Sequence, residues 1–239
     1  MDSGKISVII PVYNESAAIG ALMARLSPLM GDCEIIFVDG GSTDNTVEQV
    51  ALQGGFALTS PQKGRANQMN FGALRAGGDI LWFLHADSLP PPNALTQIRA
   101  VLGSGYGIGC FPIQFDSKHP LMRVNAFLSN NLRARLFSIA FGDQGIFIKK
   151  DLFDGLGGYP SIPLMEDYKL SLEARKAGYR IGLAKGKITT SERRYLQYGR
   201  LKTILKMWSL QRRFRRGDDI EKIARIYQAG DKTEDGKDW

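Results

Sequence analysis

The 239-residue chain has only two cysteines, Cys33 and Cys110. Neither has CxxC spacing or metal-type neighbours, which argues against a disulfide framework and a zinc site. Two buried free thiols of a reducing compartment are expected instead. No apolar run approaches the ~20 residues that span a bilayer. The opening "MDSGKISVII" has no basic region followed by a long apolar stretch, so no secretory signal is expected and the expected location is cytoplasmic. Internal repeats and low-complexity linkers are absent. So are helix-turn-helix, zinc-finger and RNP patterns, and no nucleic-acid partner is expected. A glycine fingerprint for dinucleotides is missing too: the first turn reads "PVYNES", and "GIGCFP" (107–112) supplies only GxG and opens no helix. Acidic residues are comparatively few. Against 31 Lys and Arg stand 24 Asp and Glu, a formal charge of +7, which suits a phosphorylated small molecule or an acidic membrane surface. A solvated basic face explains the same charge.

What is present is enough for one substantial core, with 44% hydrophobic residues. The first ~115 residues alternate strand and helix patterns. "KISVIIPVY" (5–13), "EIIFVD" (34–39), "GFALTS" (55–60) and "DILWFLHAD" (79–87) read as buried strands. Between them, Ile19, Leu22, Met23 and Leu26 show helical spacing, 42–53 opens with N-cap residues, and 64–78 ends on glycines. The alternation predicts a mostly parallel α/β sheet with helices on both faces. Further on, 107–115 and 144–150 read as strands, 119–137 as one helix, 166–178 as a helix, and 179–191 as one or two strands.

Ligands of such sheets bind beyond the carboxyl ends of the strands. Three of those ends carry acids here: Glu15, Asp39 and Asp87. Asp44 reads as a turn or helix cap. A divalent cation with a phosphate-bearing ligand would compensate the acids, with Asp87 as an oxygen ligand of Mn2+ or Mg2+. Lys63 and Arg65, where a helix begins, suit a phosphate.

The stretches "SVIIPVYNE" (7–15), "VDGGSTDNT" (38–46), "KGRANQMNFGALRAGGDILWFLHAD" (63–87) and "EDYKLSLEARKAGYRI" (166–181) resemble the family 2 glycosyltransferases of the GT-A fold. The resemblance covers about residues 5–195, leaving 196–229 as a basic helical C-terminal extension and 230–239 as a loose tail. It divides 1–195 into a donor half to about 115 and an acceptor half. "LMED" (164–167) with "TSERRY" (190–195) is similar to a small bacterial subgroup of uncharacterised transferases.

The resemblance implies a metal-dependent inverting transfer of sugar from a nucleoside diphosphate sugar to a hydroxyl acceptor. It implies base and ribose contacts from Pro11, Tyr13, Glu15 and Asp39, with Arg65 near the base or phosphates. His85-Ala86-Asp87 matches the DxD element, whose last residue, Asp87, is the metal position. Glu166 and Asp167 match the "ED" element, with Asp167 as general base, its pKa raised by Glu166. Arg193 and Arg194 match a basic element that assists the departing diphosphate. Two positions depart from the pattern: Gly40 replaces a carboxylate of "VDDGS", and His85 replaces the first acid of DxD. A neutral His85 can hydrogen-bond a ribose hydroxyl or ligate metal, the latter favouring Mn2+. Asp143 and Gln144 in "GDQGIF" are candidates for acceptor contact or for turn formation. A nucleotidyltransferase, a sugar-phosphate enzyme or a non-catalytic nucleotide-sugar binder remain rival readings.

From Arg193 to Arg216 there are nine basic residues and no acid. Leu201, Ile204, Leu205 and Trp208 form a helical stripe. It suits either packing on the catalytic domain or an interfacial helix on the inner face of an anionic membrane, the latter fitting a lipid-linked acceptor.

Overall fold

In chain order the elements are β1 (Ile6–Val12), α1 (Ser16–Leu26), β2 (Cys33–Asp39), α2 (Thr46–Leu52), β3 (Ala57–Thr59), α3 (Arg65–Arg75), β4 (Ile80–Phe83), β5 (Ser88–Leu89) and α4 (Ala94–Gly103). There follow β6 (Ile108–Cys110), β7 (Ile113–Phe115), α5 (Pro120–Leu128), β8 (Phe147–Lys149), α6 (Lys150–Gly155) and α7 (Glu166–Lys176). The series ends with β9 (Ile181–Leu183), β10 (Ile188–Thr190), α8 (Arg193–Tyr198), α9 (Arg200–Arg215) and α10 (Ile220–Gln228). This computed structural model describes residues 4–229; the tail 230–239 lies outside the described residues.

The strands alternate their side chains between two apolar layers. Ile6, Val8, Ile10 and Val12 of β1 enter one cluster with α1 and α4, while Ile9 enters the other with α3 and α7. In β4, Ile80 and Trp82 face the first layer and Leu81 and Phe83 the second. Each such fully buried side chain contributes roughly 1.5–3 kcal/mol. On the second face, a Cβ at Gly72 would lie 2.6 Å from Ile9 Cγ2, so α3 sits directly on the sheet.

The main sheet has the order β3-β2-β1-β4-β8-β6-β9. It is parallel except at β8, which pairs antiparallel with both β4 and β6. A second sheet has the order β5-β10-β7. Three expected elements are divided. The strand 107–115 breaks at Phe111-Pro112, where proline supplies no ladder N–H, and its halves enter different sheets. The strand 79–87 ends at Phe83, and His85–Asp87 form a turn closed by Ser88 N–H donating to His85 O. The helix 119–137 widens into π-helical turns over Ser129–Leu136, where Asn130 exchanges two hydrogen bonds with the Ile113 backbone.

Cys110 is buried, as expected, whereas Cys33 is only half-buried; both are free. The C-terminal helices are part of the same body. Leu210 and Ile223 bury against Ile139, Leu164, Met165 and Tyr168, with Met207, Phe214 and Tyr227 packed around them. The expected stripe on α9 divides: Ile204 is buried, while Leu201, Leu205 and Trp208 are exposed. Among the described residues, no helix is long and apolar enough to cross a membrane.

Candidate active site

The loops after β1 and β2 are built by their own polar side chains. Asp39, buried at the end of β2, accepts from the backbone N–H of Gly41 and Ser42 and from Ser42 Oγ. Asn14 has a positive φ of 53°, and its Oδ1 accepts from the N–H of Thr43 at 2.8 Å. Asp44 accepts from Thr46 and from the N–H of Ser16, fastening the starts of α2 and α1 together. Burial raises its carboxyl, but these bonds together outweigh it and hold the group below the usual range.

Beyond β4 a cleft of about 230 Å³ opens, lined by Arg65, His85, Asp87, Asp143, Glu166 and Asp167 among others. Arg65 begins α3 and Glu166 begins α7; their side chains pair at 3.7 Å, joining the two helix starts. Met165, just before α7, has a φ of 65° in the left-handed region. That conformation costs a β-carbon-bearing residue on the order of 1–3 kcal/mol and is sustained where the surroundings determine it. Here it turns the chain so that Glu166 and Asp167 both start the helix.

Asp167 is nearly buried. Its Oδ2 accepts from the N–H of Gly142 at 2.7 Å and its Oδ1 from its neighbour Tyr168 N–H at 2.6 Å. Burial, reinforced by the Glu166 charge, pushes Asp167 up to about 7 against those two bonds. Gly142 is required to be small: a Cβ there would lie 2.3 Å from His85 Nε2 and 3.5 Å from Asp167 Oδ2. His85 is therefore wedged between the turn after β4 and the loop that orients Asp167. Its Nε2 is shielded and makes no hydrogen bond, and burial, with Arg65 adding, drives its pKa down to about 3. The imidazole is neutral.

The remaining expected residues divide into two groups. Asp87 lines the cleft, and Glu15 lies close enough for the two acids to repel; burial raises the Glu15 carboxyl, opposed by Arg193 at 3.5 Å. Asp143 also lines the cleft, its carboxyl raised by burial and opposed by Arg133. Arg194 lines it too, bonded to and stacked on Tyr227, with its guanidinium carbon 3.9 Å from the ring centre. Gln144 lines the cleft but binds its own turn, Oε1 accepting from Phe141 N–H at 3.1 Å. Pro11, Tyr13 and Asp39 sit at the ends of β1 and β2, outside this lining, and Ala86 is buried. Lys63 is exposed before α3 and does not line the cleft.

Sequence reasoning missed Arg133, Thr203 and Gln211. Arg133 projects from the π-helical turns, bonded to Ser129 Oγ and 4.8 Å from the Phe141 ring centre. Thr203 and Gln211 are buried polar residues of α9 facing the cleft. A polar residue at every second helical turn was the available signal. Arg133 carries no local one.

Among the described residues, no three His, Cys, Asp or Glu side chains are grouped as a metal cage. A lone hard carboxylate at Asp87, with Glu15 near it, fits an ion whose other ligands are a diphosphate and water.

A family model described as glycosyl transferase family 2 matches residues 7–153. An uncharacterised glycosyltransferase of Mycobacterium tuberculosis is 32% identical over 162 residues, 64% of this chain and 62% of its own length. The undecaprenyl-phosphate 4-deoxy-4-formamido-L-arabinose transferase of Yersinia enterocolitica is 27% identical, covering 61% of this chain and 48% of its own. These matches span less than two thirds of either relative. A mannosyltransferase of Pyrobaculum calidifontis, solved with GDP-Man and Mn2+, superposes with a TM-score of 0.62 at 23% identity over 78% of this chain and 56% of its own. Glucosyl-3-phosphoglycerate synthase of M. tuberculosis, solved with Mn2+, UDP and glucosyl-3-phosphoglycerate, gives 0.58 at 21% identity over 79% and 70%. Both share the GT-A fold.

Proposed function

The chain belongs to the family 2 glycosyltransferases, and from that premise we propose that it transfers a sugar, with inversion, from a nucleoside diphosphate sugar to an acceptor hydroxyl. The observation that carries this reading is Asp167. It is a buried carboxylate raised to about 7, oriented by the Gly142 N–H, in the same cleft as Asp87. A base is most effective when its pKa lies near the working pH.

Asp167 takes the proton of the acceptor hydroxyl as that oxygen bonds to the anomeric carbon. The bond from that carbon to the diphosphate breaks in the same displacement, and the electron pair leaves with the diphosphate. We assign Asp87 as the residue that would hold Mn2+ or Mg2+. When bound, the ion supplies positive charge to the departing diphosphate. Arg65, Arg193 and Arg194 add positive charge around the same leaving group. Pro11, Tyr13, Glu15 and Asp39 form the nucleotide end, and Asp143 the acceptor side. His85 faces Gly142, so we assign it to holding the base loop rather than to the metal. The undecaprenyl-phosphate relatives support a lipid-linked acceptor.

A thermal-shift screen of nucleoside diphosphate sugars with Mn2+ and Mg2+ identifies the donor, because ligands of the native state raise its stability. Proton NMR of the product then reads the anomeric configuration. Inversion is expected, and retention would overturn the assignment of Asp167 as sole base.

A further inference from the structure

We propose that the exposed face of α9 docks on an anionic phospholipid bilayer. Leu201, Leu205 and Trp208 are 58%, 55% and 44% exposed. At about 100° per residue they fall within roughly 60° of arc, one continuous row. The opposite side of the helix, carrying Thr203 and Leu210, is buried against the body, as are Ile204 and Gln211 on one flank of the row. The row is therefore left over after the helix has satisfied its packing. The preceding helix, α8, adds Leu196 at 58%, and α5, which packs beside α9, exposes Val124 and Phe127.

Charge identifies the occupant. Continuing the row by one turn brings Arg212 and Arg215, with Arg216 at its border; all three are exposed, as is Lys202 beside it. Residues 193–216 hold nine basic and no acidic side chains, so against a whole-chain charge of +7 the rest of the protein nets −2. Four of those nine, Lys202, Arg212, Arg215 and Arg216, border the exposed apolar row. A second copy of the chain meeting this face symmetrically would bring like charges together. A surface of anionic headgroups over hydrocarbon satisfies both features: the basic side chains reach the headgroups while leucines and an indole enter the interface.

Trp208 also lines the cleft, so the cleft opens beside the docked face. A membrane-borne acceptor would reach Asp167 from that side. The docking goes beyond the proposed transfer and stands without it, since neither donor nor acceptor is needed to measure it.

The test is flotation of the full chain with vesicles of phosphatidylcholine alone, or with about one third phosphatidylglycerol, at low and high salt. The chain is expected to float only with the anionic vesicles, and less at high salt. The exposed pair Leu201→Ser/Leu205→Ser is expected to lower partitioning about tenfold with melting temperature unchanged. Absence of flotation with anionic vesicles overturns the proposal. So does flotation unaffected by the serine pair, which would mean charge attraction alone. A concentration-dependent dimer that the serine pair abolishes, without flotation, would show that a second copy covers the face. Failure of sugar transfer would leave all these readings in place.

Discussion

The carboxylates of the loop after β2 and those of the cleft are set up in opposite ways. In the loop after β2, Asp39 accepts from N–H groups and a hydroxyl within three residues, Asp44 accepts from Thr46 and from the Ser16 N–H, and Asp44 is held below the usual range. Those acids organise loops. At the cleft, Asp143 and Asp167 are desolvated, and both are raised, as is Glu15 beside Asp87. Asp167 receives only two N–H bonds and stands beside another acid, Glu166. The difference teaches where reactivity comes from in this fold. Local hydrogen bonding makes a carboxylate a structural anion, whereas burial next to a like charge makes it a proton acceptor near neutral pH.

The contrast can be broken most sharply at Asp167. Asp167→Asn is expected to lower transfer by about a thousandfold while donor affinity, measured calorimetrically, stays within about twofold. Next in size, Asp87→Ala should weaken Mn2+-dependent donor binding about a hundredfold and leave metal-free binding little changed. Gly142→Ala would press a methyl against His85 and the base loop. We expect a cost of about 1–3 kcal/mol in chemical denaturation and a fall in activity. Glu166→Gln sharpens the comparison. Removing the neighbouring negative charge lowers the Asp167 pKa, so the acidic limb of the kcat/KM profile moves to lower pH. The smallest effect belongs to the loop after β2. Asp44→Asn should cost about 1 kcal/mol of stability and leave the pH profile where it was.

The two regions also differed in how legible they were. The loop after β2 writes its chemistry locally: "VDGGST" contains both Asp39 and the groups that bind it, and the strands before it are continuous apolar runs. Asp87 lies in the turn four residues after its strand ends at Phe83. Glu166 and Asp167 were legible through their motif, but their setting was not. The Gly142–Asp167 bond joins positions 25 residues apart, and the His85–Gly142 contact depends on how two loops meet. The π-helical turns that carry Arg133 follow from Asn130 binding Ile113 on a strand that was expected to be continuous with β6. On α9 the periodicity was legible and its direction was not. A 3.6-residue period finds a stripe but does not say which part of it meets a neighbour. Only Ile204 of the expected four turned inward, beside the polar Thr203 and Gln211.

Everything proposed for the reaction turns on whether the start of α7 holds a desolvated carboxylate poised to accept a proton. Carbon-13 NMR titration of the Asp167 carboxyl, assigned against Asp167→Asn, tests it without donor or acceptor. The expected midpoint is near the value of about 7 set by burial and Glu166. A midpoint near 4, the range of an ordinary aspartate, would contradict it.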